Sequence, residues 1–154
     1  MDLTEYTRET LRDLAGVFVI VETVKSDAEA DGLSVTELQK DVELKLSQAG
    51  IRVLDHDEWR STPGRPWLYV SVNTIKFLAS YFFSLDVQLK QEVSLSRSGS
   101  ISTSSSTWEL GSLGMTVISD LPNRVRQAVD AYVQRFIDDY DTVNDSRTKS
   151  PLSQ

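Results

Sequence analysis

The chain contains no cysteine. Disulfides, thiolate nucleophiles, iron–sulfur clusters and cysteine-based zinc sites are therefore closed to it. This does not fix a compartment, because a thiol-free chain suits an oxidising envelope and the cytosol alike. Histidine is nearly as scarce, with His56 alone. Three-histidine zinc sites and two-histidine iron sites cannot be built from this chain. Any histidine-based catalytic pair would have to use His56. Positive charge is also short, since 16 Lys and Arg face 23 Asp and Glu, for a net charge of −7. The basic residues are scattered singly, apart from Arg124 and Arg126. Phosphate backbones are held by clustered Lys and Arg, so nucleic acid is not an expected partner. An anionic membrane surface is disfavoured by the same sign of charge. Long apolar runs are missing as well. The longest, Val17 to Val21, stops at Glu22, far short of the ~20 residues of a membrane span. The first fifteen residues carry Asp2, Glu5, Arg8, Glu9, Arg12 and Asp13, a pattern unlike a signal peptide. An exported form would have lost its signal.

What is present is ordinary for one globular domain. With 154 residues, 40% of them apolar, the chain can bury a core without staples. Leu3, Tyr6, Leu11 and Leu14 fall at roughly helical spacing and predict a lead-in helix or partly ordered arm over 1–16. The β-branched run over 17–24 reads as a strand buried on both faces. Residues 25–33 read as a polar loop. Ser34 with Glu37 makes a capping box. Val35, Leu38, Val42, Leu46 and Ala49 then share one helical face, and Gly50 suits a left-handed cap. Leu44 points away from that face.

Ile51 to Leu54 predicts a second strand, and 55–66 a loop with a Pro63-Gly64 turn. In the next strand Leu68, Val70 and Val72 alternate with Tyr69, Ser71 and Asn73. The longest strand, about 81–97, has a period of two, with Phe83, Leu85, Val87 and Leu89 on one phase and Ser84, Asp86, Gln88 and Lys90 on the other. A fifth strand is expected over about 101–110, broken by Gly111 and Gly114. Asp120 is the expected cap of a final helix with Pro122 in its first turn. The apolar stripe of that helix runs through Leu121, Val125, Ala128, Val129, Tyr132, Phe136 and Tyr140.

The order (α)-β-α-β-β-β-β-α predicts an α+β domain of two layers. A mixed sheet of about five strands should carry helices packed on one face. The first β-α-β unit should place its strands parallel. The single domain is expected over 17–143, with a disordered tail over 144–154.

Few constellations could carry chemistry. Asp55-His56-Asp57-Glu58 could gather oxygen ligands, but the EF-hand spacing is not met, and a solvated acidic cluster explains it. Gly111 and Gly114 lack the lysine and spacing of a phosphate loop. Asp138, Asp139 and Asp141 crowd the end of the last helix and read as solvated. Ser94 to Thr107 is rich in Ser and Thr and reads as a hydroxyl-lined hairpin arm. No metal or cofactor is expected. The best candidate surface is Trp59, Arg60, Arg65 and Trp67, around the Pro63-Gly64-Arg65-Pro66 loop. Trp and Arg dominate binding hot spots, and functional residues favour loops.

The stretch Val42-Glu43-Leu44-Lys45-Leu46, with Ala49-Gly50-Ile51 and Val53-Leu54, carries a resemblance. So do Trp108 with Gly111, and Phe136-Ile137 with Asp139-Tyr140. Over roughly residues 10–143 the chain resembles a family of small exported bacterial proteins that usually begin with a signal peptide. Those motifs are structural and bring no catalytic residue. By element order alone the chain is similar to the amino-terminal domain of TolB and to auxiliary lipoproteins of envelope ABC transporters. The lipoproteins' lipobox cysteine has no counterpart here. The resemblance implies a periplasmic, non-enzymatic binding or assembly module, with a protein partner or small ligand. Two alternatives stand beside it. One is a small hydrolase or isomerase using Asp55, His56 and Asp57. The other is a self-associating protein, a homodimer paired through a sheet edge.

Overall fold

The computed structural model describes residues 3–145. Five helices and four strands follow one another along it. Helix α1 is Leu3–Glu9 and strand β1 is Phe18–Val21. Helices α2, Ser26–Ala30, α3, Val35–Gln48, and α4, His56–Ser61, come next. Strands β2, Trp67–Phe77, β3, Ser80–Leu95, and β4, Ser98–Val117, then lead to α5, Leu121–Asn144.

The domain is α+β with a mixed sheet, as the sequence predicts. The strands lie in chain order, β1-β2-β3-β4. β1 runs parallel to β2, and the rest is an antiparallel meander.

Four strands form rather than five. The expected strand at 51–54 contributes only Val53, bridged in parallel to Val17. Ile51 and Leu54 are buried, so they anchor the segment to the core as a loop. Short apolar runs of this kind do not distinguish strand from packed loop. Asp55 then accepts a hydrogen bond from the Glu58 amide at 2.8 Å and starts α4, inside the expected loop. α2 likewise falls inside the expected loop 25–33.

Glycines 111 and 114 do not break the last strand. β4 runs through both, and each lets a neighbour lie flat against the backbone. A Cβ at Gly114 would stand 2.4 Å from the Phe83 ring, and one at Gly111 would stand 2.5 Å from an Asp86 carboxylate oxygen. Asp120 makes no side-chain cap; it ends a 3-10 turn, Ile118–Asp120, that runs straight into α5.

The sheet's two faces differ. On one, Leu68, Val70 and Val72 of β2 and Tyr81, Phe83, Leu85, Val87 and Leu89 of β3 are buried under α3 and α5. The capping box forms, with Ser34 Oγ accepting from the Glu37 amide at 3.2 Å. Gly50 takes φ +80 as the left-handed cap, and Leu44 is exposed. On α5 the buried stripe passes through Val133, Ile137 and Val143, while Ala128, Tyr132 and Tyr140 sit at its margin. Burial in β3 ends at Leu89, where a bulge interrupts the pairing with β4. Beyond it the two strands outrun the helices, so Val93 and Leu95 are only half-buried.

Asp139 is not solvated. It is 6% exposed. It accepts from Trp108 Nε1 at 2.9 Å and from Arg8 Nε at 3.1 Å, and Arg135 Nε lies 3.5 Å away. The Trp108 ring meets Phe136 edge-on, with centroids 5.2 Å apart. The lead-in is thus docked, with Leu11 fully buried. Asn144, placed at the start of the expected tail, is the last residue of α5. Its side chain donates to Leu11 O at 2.9 Å and accepts from the Asp13 amide at 2.8 Å. Residues 146–154 of that tail lie outside the described residues.

Removing a buried carboxylate while its donors remain leaves those donors unpaired. Asp139→Ala is expected to cost about 2–4 kcal/mol, read from the urea midpoint. Asp138→Ala and Asp141→Ala, at exposed positions, should each change stability by no more than about 0.5 kcal/mol.

Candidate binding trough

The sheet's second face carries no long helix. At the β1 edge α4 and the loop after it rise beside this face and make a wall. The sequence builds that wall locally. Asp55 caps α4, which places Trp59 one turn later. The Trp59 ring packs on Phe18 and His56, with centroids 5.6 and 5.7 Å away. Its Nε1 donates to Arg65 O at 2.8 Å, so the indole also fastens the loop. Gly64 and Arg65 both take positive φ, +78 and +40, and this turns the chain back toward the sheet. The Glu92 amide then donates to Gly64 O at 2.7 Å, pinning the loop to β3.

Between this wall and the strands lies an open trough of about 430 Å³. Ile20, Trp59, Arg65, Trp67 and Glu92 line it together with the β4 segment Ser102 to Ser104. Three of the four residues proposed from sequence, Trp59, Arg65 and Trp67, therefore come together. Arg60 does not join them; it is exposed on α4 and lines no part of the trough. The Arg65 guanidinium lies 3.9 Å from the Glu92 carboxylate, with both side chains about half exposed. Such a pair contributes little stability and can exchange partners.

Sequence reasoning missed Ile20, Glu92 and Ser104, along with the polar layer behind them. All lie on the wet phase of their strands, and only the register brings them side by side. Ile20 stands opposite Tyr69, and Trp67 opposite Lys90. Lys90 Nζ sits 5.1 Å from the Trp67 ring and 4.7 Å from the Tyr69 ring, a double cation–π contact. The two rings meet edge-on at 5.4 Å. The Tyr69 hydroxyl donates a hydrogen bond to the Glu22 carboxylate, and Ser71 Oγ donates to it at 2.9 Å. Trp67 is thus held from behind while one side faces the trough.

The Asp55-His56-Asp57-Glu58 cluster is placed otherwise. The Asp55 carboxylate is occupied as the α4 cap. His56 stacks on Phe18 and Trp59. The Asp57 side chain is almost wholly exposed, and none of the four lines the trough. Among the described residues, no three of His, Asp and Glu are gathered so as to hold a metal ion. No described helix is long and apolar enough to cross a membrane.

Comparison with family models, curated proteins and solved structures returns no match.

The Tyr69 hydroxyl foremost, then Ser71, with Lys90 nearby, hold the Glu22 carboxyl below the usual glutamate range. A depressed carboxylate contributes stability above its unfolded-state pKa and loses it as pH falls through the folded value. The stability gap between wild type and Glu22→Gln should therefore be widest near neutrality. It should close as pH is lowered below about 4, as followed by urea titrations from neutral to acid pH.

Proposed function

We propose that the protein is a non-enzymatic binding or assembly module of the bacterial cell envelope. Its recognition element is the trough. The observation that carries this reading is the convergence of Trp59, Arg65 and Trp67 on one open concavity. Two indoles offer apolar area at little entropic cost. Arg65, Glu92 and the Ser104 hydroxyl offer polar anchors at the rim. Ligand sites commonly combine a mostly apolar hollow with a few fixed polar groups. The shallow, open shape suits a short stretch of a protein partner, with an apolar or aromatic side chain laid on Trp67. The envelope location rests on the resemblance seen in the sequence.

The acid–base alternative at Asp55, His56 and Asp57 has no comparable support, because those groups do not face a shared hollow. Edge pairing through β4 has partial support, because β4 is an outer strand with Glu109 as its only charged residue. The bulge beside Lys90 and the Thr10 hydroxyl donating to Thr107 O at 3.3 Å blunt that edge near its middle.

Native mass spectrometry on protein purified gently from its own host should reveal a bound partner or small molecule. Trp67→Ala and Arg65→Ala should each weaken that complex by about 30-fold, as at other hot spots, with an unchanged circular dichroism spectrum. Wild-type affinity in both variants would place recognition elsewhere.

A further inference from the structure

The helix-free face changes character along its length. About 26 Å from Trp67 along β2, its outward side chains become apolar. Ile75 stands opposite Phe82, and Phe82 opposite Met115. In the next rank Phe77 and Val117 flank Ser80, and in the rank before it Leu113 follows Ser84 and Asn73. Leu78 closes the patch at the β2–β3 turn. These are seven of the ten large apolar side chains most exposed among the described residues, at 46% to 86%.

Five of the seven are aliphatic, so taking roughly 150 Å² for a side chain, the low end of the aromatic range, the seven leave about 700 Å² of apolar surface in water. The largest patch on a typical monomer is ~300–600 Å². A stable interface needs ~800 Å² from each partner, so this patch is the size of half a dimer interface.

Leu78 makes the same point independently. It takes φ +54, a backbone conformation in a two-residue hairpin that glycine or asparagine fills more cheaply. It is also 82% exposed. A strained, solvated leucine gives the monomer nothing in return.

We infer that this patch is a homodimer interface, in which two copies pack sheet face on sheet face about a two-fold axis. Charge selects the occupant. The chain carries −7, so a second copy is repelled except where no charge is buried. The ranks described above hold only Asn, Ser and apolar side chains. The charged groups at its border are Lys25, beside a hollow of about 420 Å³ at Asn73 and Ile75, and Asp86, one rank further along between Ser71 and Gly111. The same net charge disfavours an anionic lipid surface. Open antiparallel sheets pack face to face about 10 Å apart with strands near 30°, and a two-fold axis uses one self-complementary patch twice. This pairing is distinct from edge pairing. The trough lies about 26 Å away along the face and neither Ile75 nor Leu113 lines it, so failure of the dimer would not touch the trough reading.

Sedimentation equilibrium of the full chain, up to about 500 µM, tests this. A dimer of the 17.3 kDa chain is expected, with a micromolar or tighter dissociation constant. Leu113→Glu and Ile75→Lys should each weaken it by about 30-fold or more, because each buries an unpaired charge. Both positions are exposed, so far-UV circular dichroism should not change; Leu113→Ser, a milder variant, should shift the constant in the same direction. A monomer at every concentration would overturn the inference, whether or not the monomer floats with phosphatidylcholine vesicles. So would a dimer that all three substitutions leave intact.

Discussion

The buried carboxylate of Asp139 is what the rest of this fold leans on. Carboxylates go into a protein interior only where donors meet them. Here two donors and a flanking cation come from three separate places: the indole of Trp108 in β4 and Arg8 in α1 donate, and Arg135 lies one turn back on α5. One group thereby fixes how the last helix sits on the outer strand and where the first helix docks. The burial of Leu11 and the seating of Trp108 against Phe136 both follow from it. The sheet keeps its second face uncovered because both long helices are committed to the first.

That uncovered face carries both proposed contacts, and it is graded. At the β1 end, Trp59 is held by its hydrogen bond to Arg65 O and by ring contacts, Trp67 by Tyr69 and Lys90, and the Arg65 guanidinium pairs only loosely with Glu92. Through the middle, Tyr69, Ser71, Glu22 and Lys90 form a polar band that needs no partner, because its groups satisfy one another. At the β2–β3 turn the face becomes apolar and unsatisfied. A surface saturated in its centre and unsatisfied at both ends is what two independent contacts would require.

Local chemistry made part of this legible in the sequence. Ser34 with Glu37 marked the start of α3, Gly50 marked its end, and the period of two in 81–97 marked β3. Clustering of Trp59, Arg65 and Trp67 around a Pro-Gly turn was enough to point at the trough. What stayed hidden depends on register. Asp139 looks like its neighbours Asp138 and Asp141 until Trp108 and Arg8, 31 and 131 residues away, are brought beside it. Gly111 and Gly114 look like breakers until Phe83 and Asp86 are laid across them. Ile51–Leu54 has the composition of a strand, but Asp55 draws the chain into α4 before a ladder can form.

The stitching of Asn144 to Leu11 and Asp13 has a consequence for how the domain can be handled. The first and last described segments meet at one point on the surface, a common arrangement in compact domains. A short linker joining the two described segments there would close residues 3–145 into a ring without disturbing either sheet face. The ring could then be reopened in an exposed loop elsewhere. The domain is in that sense a plug-in unit, suited to insertion within a host protein with both faces left in view.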